Sequence, residues 1–232
     1  MNTLTPAEKA AGWTLAFDGK TLNGWRGVGM AGIPKGHWTV ENGTIRVIPS
    51  DQVPLGPDGK PLPGGDLMID KPYRDFELSL EWKIPPLGNS GVKYNVSEDV
   101  STARGGHGAL GFEYQIIDDI GHPQVSYEEI NTTGSLYALI PPPHPEGKVL
   151  HPVGEWNHSR IVFQGMHGEH WLNGEKLLEF ELETPQMDSL IAASKYHTIP
   201  NFGKKKTGYI VLQDHASGAW FRNIKIRSLA EE

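Results

Sequence analysis

The chain has 232 residues, with 21 Lys and Arg against 28 Asp and Glu, a net charge of −7, and no cysteine. Disulfides, thiolate metal sites and cysteine nucleophiles are therefore excluded, and the acidic balance argues against nucleic acid as a partner, because phosphate binding needs clustered basic side chains. No stretch reaches the apolar length of a transmembrane segment, while 28 glycines and 18 prolines fall between short apolar segments, the punctuation of a β protein with many turns.

Residues 1–11 read as an N-terminal tail in which 5–11 offer one helical turn capped by Thr5. They lack the basic and apolar run of a secretion signal. One domain is expected over 12–232. The proline-rich stretches at 54–63 and 141–145 are inserted loops within it, because strand patterns continue on both sides.

Beyond the tail the recurring signal has period two. Trp38-Thr39-Val40, Asn42-Gly43 and Ile45-Arg46-Val47 spell a hairpin whose Asn-Gly supplies the positive φ angles of a tight turn. In the clearest strand, 76–84, Phe76, Leu78, Leu80, Trp82 and Ile84 share one face and Glu77, Ser79, Glu81 and Lys83 the other. Strands follow at 90–96 and 112–117, separated by the glycine-rich 104–108. A shorter one at 135–139 is stopped by Pro141-Pro142-Pro143. Residues 159–164 pair with 169–172, and Asn173-Gly174 turns into 176–181. A short helix is expected near 188–196, and strands at 208–214 and 220–228 close the chain. The basic run Lys204-Lys205-Lys206 reads as a solvated loop. Many short strands with almost no helical periodicity predict an all-β, two-sheet antiparallel sandwich with one or two helical turns.

The most informative segment for chemistry is 111–119. As a strand it turns Phe112, Tyr114 and Ile116 one way and Glu113 and Gln115 the other, a polar surface suited to hydrogen bonding or an ordinary solvent face. A second polar face aligns Tyr209, Val211, Gln213 and His215, and the next strand carries Arg222 and Asn223. His215 titrates near neutrality and suits an acid or base. His167-Gly168-Glu169-His170 falls in a turn between strands, where i and i+3 do not converge, so no zinc site is expected. Asp118-Asp119 lacks the ligand ladder of a calcium loop. Seven tryptophans and seven tyrosines offer faces for sugar rings or for a core. Trp82 and Trp171 alternate into buried faces; Trp25, Trp156 and Trp220 lie near turns.

In order, Gly12-Trp13, LAFDGKTLNGW at 15–25, Trp38 to Gly43 (WTVENG), Asn89-Ser90-Gly91, Glu113 to Asp118 (EYQIID), PVGEWN at 152–157, Leu172-Asn173-Gly174, Gln213-Asp214-His215 and Phe221-Arg222-Asn223-Ile224 form a specific series. The chain thereby resembles the 3-keto-disaccharide hydrolase domain family, formerly domain of unknown function 1080, from about residue 12 to 229. The resemblance implies a concanavalin A-like jelly roll, related in fold to lectins and bacterial glucanases. It also implies export to the periplasm or cell surface with the signal removed; cytoplasmic residence is the alternative.

Glucanases of that fold carry Glu-x-Asp-x-x-Glu, where this chain has Glu113-x-Gln115-x-x-Asp118. Gln115 cannot ionise. In a regular strand Asp118 faces away from Glu113 at roughly 16 Å, beyond the separation of a two-carboxylate glycosidase. A 3-keto substrate offers other chemistry: the ketone acidifies the C2 proton, so one base can start an elimination that expels the C1 substituent, and water can add back. The resemblance and strand parity together assign Glu113 or His215 as base. Arg222, Gln213 and Asn89 become hydrogen-bond donors, Gln115 and Asp118 further binding groups, and Tyr94, Tyr137 and Trp156 the flanks of a saccharide or glycoside. The pattern assigns no cofactor and no metal ligand, though a divalent metal is compatible with holding the enolate oxygen. No residue pattern specifies an oligomeric state. The competing readings are a noncatalytic lectin-like module and a conventional glycoside hydrolase.

Overall fold

Alternation of apolar and polar residues builds two antiparallel sheets in the computed structural model, which describes residues 1–126, 129–142 and 148–229. Strands β1 (Thr14–Leu15), β3 (Trp38–Glu41), β4 (Thr44–Val47), β6 (Phe76–Lys83), β9 (Asn157–Gln164), β10 (His167–Leu172), β11 (Glu175–Glu181) and β13 (Ala219–Ser228) form the larger sheet. Their order is β11-β10-β9-β6-β13-β4-β3, with β1 also on β13. Strands β2 (Trp25–Gly27), β5 (Leu67–Ile69), β7 (Asn89–Val96), β8 (Phe112–Ile117) and β12 (Tyr209–Leu212) form the smaller, ordered β2-β5-β12-β7-β8. Among the described residues three short α-helices complete it: α1 (Pro6–Ala10), α2 (Glu98–Thr102) and α3 (Pro185–Ala193).

The core lies between the sheets. From β6, Phe76, Leu78, Leu80 and Trp82 point inward and are almost fully buried. They meet Tyr94, Phe112 and Tyr114 of the smaller sheet, with Phe76 edge-on to Tyr94 and Phe163 tilted against it. Two all-antiparallel layers with interdigitated inner faces make a sandwich of the jelly-roll kind.

Several local expectations need correction. Residues 135–139 make only isolated bridges, Tyr114 to Leu136 and Leu136 to Ile140. Gly134 (φ +85°) and Ala138 (φ +60°) are left-handed there, which breaks a strand into turns. His167 to His170 belong to β10, not to a turn. Strand parity sends His170 into the core and keeps His167 outside. The same parity puts Trp171 on the outer face, half-buried, with Arg160 stacked 4.3 Å from its ring centroid. Residues 1–11 are pinned: Asn2 exchanges hydrogen bonds with Asn223, and the Glu8 carboxylate pairs with Lys225 on β13.

Candidate functional site

On the outer face of the smaller sheet, period two brings together Asn89, Gly91 and Lys93 of β7 with Glu113 and Gln115 of β8. Lys93 lies directly opposite Glu113, and Gly91 opposite Gln115. The chain leaving β12 adds Gln213, whose backbone N–H donates to the Gly91 carbonyl at 2.9 Å. Glu113 leans over β7, where a Cβ on Gly91 would sit 2.6 Å from Oε1.

The electrostatics of this face centre on Glu113, which is 5% exposed. Burial pushes its carboxyl pKa up, opposed in part by Lys93 and Lys195, and among the described residues no hydrogen bond reaches it. Lys93 is itself buried, its Nζ donating to Asp66 Oδ2 at 2.9 Å and to the Ala109 carbonyl at 3.2 Å. Burial works against its proton, but Asp66 and then Glu113 outweigh this, so Lys93 titrates above an ordinary lysine. Asp66 also accepts the backbone N–H groups of Ala109 and Asp214. One carboxylate thus ties three segments together and holds Lys93 beside Glu113.

Above this floor lies a cavity of about 330 Å³ whose lining includes Lys93, Arg104, Glu113, Lys195, Tyr196 and Gln213. The Lys195 ammonium stands 4.0 Å from the centroid of the Tyr137 ring. On the other flank Gln124 links β7 to the 135–139 turns: its Oε1 accepts from Asn89 Nδ2 at 3.3 Å and its Nε2 donates to Tyr137 Oη at 2.8 Å. Two buried acceptors, Asn89 Oδ1 and Gln213 Oε1, have no hydrogen-bond partner among the described residues. An unmatched buried carbonyl costs about 1–3 kcal/mol, and since Gln213 belongs to the cavity lining, a hydroxyl donor that reaches its Oε1 recovers part of that cost.

Of the residues singled out from sequence, Glu113, Gln115, Asn89, Gln213 and Tyr137 come together here. His215 is exposed and borders the adjoining hollow with His107, Gly108 and Asp214, beyond Asp66. It lies close enough to His122 to help burial lower that histidine's pKa. Four residues lie elsewhere. Tyr94 faces inward, fully buried, its hydroxyl 2.8 Å from His170 Nε2. Asp118 caps a loop, accepting the backbone N–H groups of Leu87, Ile120 and Gly121. Arg222 and Trp156 stack on each other at 3.9 Å on the outer side of the larger sheet, and Arg222 pairs there with Glu81 at 2.7 Å. The reason is topological: β12 and β13 are consecutive in sequence but belong to different sheets. Sequence reasoning missed Lys93, Lys195, Arg104, Gln124 and Gly91. The parity of β7 carried the signal for Gly91 and Lys93, whereas the others come from turns.

The model of the family described as the 3-keto-alpha-glucoside-1,2-lyase-like domain matches residues 12–227. A protein of Bacteroides thetaiotaomicron named 3-keto-disaccharide hydrolase is 36% identical over 250 residues, covering 99% of this chain and 82% of that one. A crystal structure from Parabacteroides distasonis, assigned provisionally as a glycosyl hydrolase, is 34% identical with a TM-score of 0.81 and coverage of 99% of both chains. The carbohydrate-binding module CBM66 from Bacillus subtilis, 11% identical with a TM-score of 0.52, shares the fold alone. With nearly its whole length matched, the chain belongs to the 3-keto-alpha-glucoside-1,2-lyase-like domain family.

Proposed function

We propose that the protein is a carbohydrate-active hydrolase that cleaves 3-keto-glycosides by proton abstraction at C2, with Glu113 as the base. The observation that carries this reading is that Glu113 is the one carboxylate among the described residues lining the cavity, buried and flanked by Lys93 and Lys195. A conventional glycosidase needs two carboxyl groups across the scissile bond, and Asp118 is engaged by three backbone donors instead.

One base suffices for the chemistry of a 3-keto sugar. Glu113 takes the C2 proton, and the C2–H electron pair forms an enolate with oxygen at C3, which the Lys195 ammonium stabilises. Collapse of the enolate restores the C3 carbonyl, forms a C1–C2 double bond and breaks the C1–O bond. The departing oxygen takes up the proton that Glu113 had accepted. Water then adds its oxygen to C1 and a proton to C2, releasing the free 3-keto sugar. Elimination alone is a lyase reaction and elimination followed by hydration a net hydrolysis, which accommodates both the family description and the name of the relative. Asn89 Oδ1 and Gln213 Oε1 accept from sugar hydroxyls, and Tyr137 borders the ring. A raised carboxyl pKa suits a base that must hold a proton transiently near neutral pH.

The test is turnover of a 3-keto-glucoside in D₂O. Wild type should exchange deuterium into C2, and Glu113→Gln should lower kcat about 10³-fold, the scale of a lost general base. His215→Ala should retain activity within tenfold. Near-normal turnover of Glu113→Gln would end the proposal.

A further inference from the structure

We propose that the natural substrate carries a carboxylate or sulfate group received by Arg104, an inference that rests on reading this cavity as the 3-keto-glycoside site. Six of the seven arginines, Arg26, Arg46, Arg74, Arg160, Arg222 and Arg227, have a carboxylate within ion-pair reach. Arg104 has neither an ion pair nor a hydrogen bond among the described residues, and it is the arginine that lines the Glu113 cavity. Its loop, Arg104-Gly105-Gly106-His107-Gly108, presents the guanidinium with little neighbouring bulk, since Gly105 and Gly106 both hold positive φ angles that suit glycine.

The charge count of the cavity points the same way. Lys93 is matched by Asp66, which leaves Lys195 and Arg104 facing Glu113 alone. Arg104 reaches the cavity from the 104–108 loop, separately from the two lysines. The enolate accounts for Lys195, and an anionic group on the substrate would give Arg104 the charged partner it lacks among the described residues, beyond the hydrogen bonds a neutral sugar offers. A recess of excess positive charge on a chain of net charge −7 concentrates anions selectively. The planar fork of a guanidinium matches the paired oxygens of a carboxylate or sulfate.

The experiment compares kcat/KM for phenyl 3-oxo-glucoside, its 4-carboxyphenyl and 4-sulfophenyl counterparts, and phenyl 3-oxo-glucuronide. At least one anionic substrate should exceed the neutral one by tenfold or more. Arg104→Gln, an exposed loop substitution that leaves the fold intact, should bring the two within twofold. Preference for the substituted phenols places the anion on the leaving group, and preference for the glucuronide places it on the sugar; either supports the inference. A wild type without preference, or a preference that survives Arg104→Gln, overturns it. Calorimetric titration with the unoxidised glycosides, phenyl glucoside against phenyl glucuronide and 4-carboxyphenyl glucoside, reads the anion preference without turnover. Failure of the elimination chemistry and failure of anion recognition are thereby separated.

Discussion

Gly91 is predicted to be the residue that makes room for the base. It lies in the interior of β7, between β8 and β12, and its φ is not in the left-handed region, so its backbone does not require glycine. Glycine in a strand interior weakens the strand unless something approaches closely. Here the approaching group is Glu113: an added Cβ would lie 2.6 Å from Oε1, 3.1 Å from Cγ and 3.2 Å from Cδ. Ordinary contact begins near 3.4 Å, so in Gly91→Ala the carboxylate must retreat by about 0.8 Å. Misplacement by 1 Å costs on the order of 10² in rate, which makes the expected loss in kcat about 40-fold with little change in KM. The carboxyl, pushed toward solvent, should lose part of its desolvation, and the acid limb of the pH–rate profile should shift to lower pH. Overpacking should cost about 1–3 kcal/mol of stability, offset by about 0.5–1 kcal/mol from replacing a strand glycine. Two further variants isolate the cause. In a Glu113→Ala background Gly91→Ala should be neutral or stabilising, because nothing remains to clash. Gly91→Ala/Glu113→Asp should be no slower than Glu113→Asp alone, because the shorter acid fits beside the methyl. A folded Gly91→Ala protein with wild-type kcat and an unshifted pH profile would refute the reasoning.

Glu113→Gln should unfold at higher denaturant than wild type at pH 7. Burial raises the native carboxyl pKa above that of an ordinary glutamate, so ionisation works against the folded state as pH rises through the native pKa. The variant's advantage should vanish below pH 4, and equal stability at both pH values would contradict the burial argument. His170 acts in the opposite sense. Burial lowers its pKa to about 4, and its Nδ1 donates to the Gly134 carbonyl while Nε2 accepts from Tyr94 Oη. The unfolded chain therefore binds the proton first, and about 3 kcal/mol of stability should be lost as pH falls from 6.5 to 4. His170→Asn should flatten that slope in equilibrium unfolding. Arg222→Ala should leave kcat/KM unchanged and cost at most about 1 kcal/mol, the value of a partly exposed ion pair. A tenfold fall in kcat/KM would contradict its placement on the far sheet.

What was legible in the sequence was whatever strand parity alone determines. The alternation in 76–84 and 112–117 named the inward faces of β6 and β8, and the polar side of β8 was identified as the place to look. The Asn-Gly turns at Asn42 and Asn173 adopt the positive φ angles their residue types favour. Sheet membership was not legible, because it depends on which strand a loop returns to. Arg222 follows Gln213 by nine residues, yet the turn between them carries the chain from one layer to the other. Tyr94 was misplaced although its parity with Val92 and Val96 marks the inward side of β7, and a phenol with its hydroxyl satisfied by His170 packs as core. Lys93 was overlooked because a lysine in a strand ordinarily reaches solvent. Its burial depends on Asp66, 27 residues away, and no local pattern announces that partnership.

On the proposed mechanism a single carboxylate serves where the glucanase strand pattern uses more. In that pattern a central acid sits two residues after the first, and here Gln115 occupies the place, 1% exposed, with its backbone tied to Gly134 and Ser135. A second ionised carboxylate beside Glu113 would push proton affinity higher still and add negative charge where an enolate must form. A neutral amide and two lysines do the reverse. In the proposed reaction they keep the pocket receptive to developing negative charge, while burial, which raises the Glu113 pKa, suits it to take a carbon-bound proton. Restoring the acid with Gln115→Asp should therefore not create a glycosidase; it should slow proton abstraction by placing an anion next to the forming enolate. On that proposal the ketone of a 3-keto substrate supplies the acidity that a second catalytic carboxyl supplies in a conventional glycosidase. That division of labour between substrate and protein is the physical reason one base would be enough in the proposed reaction.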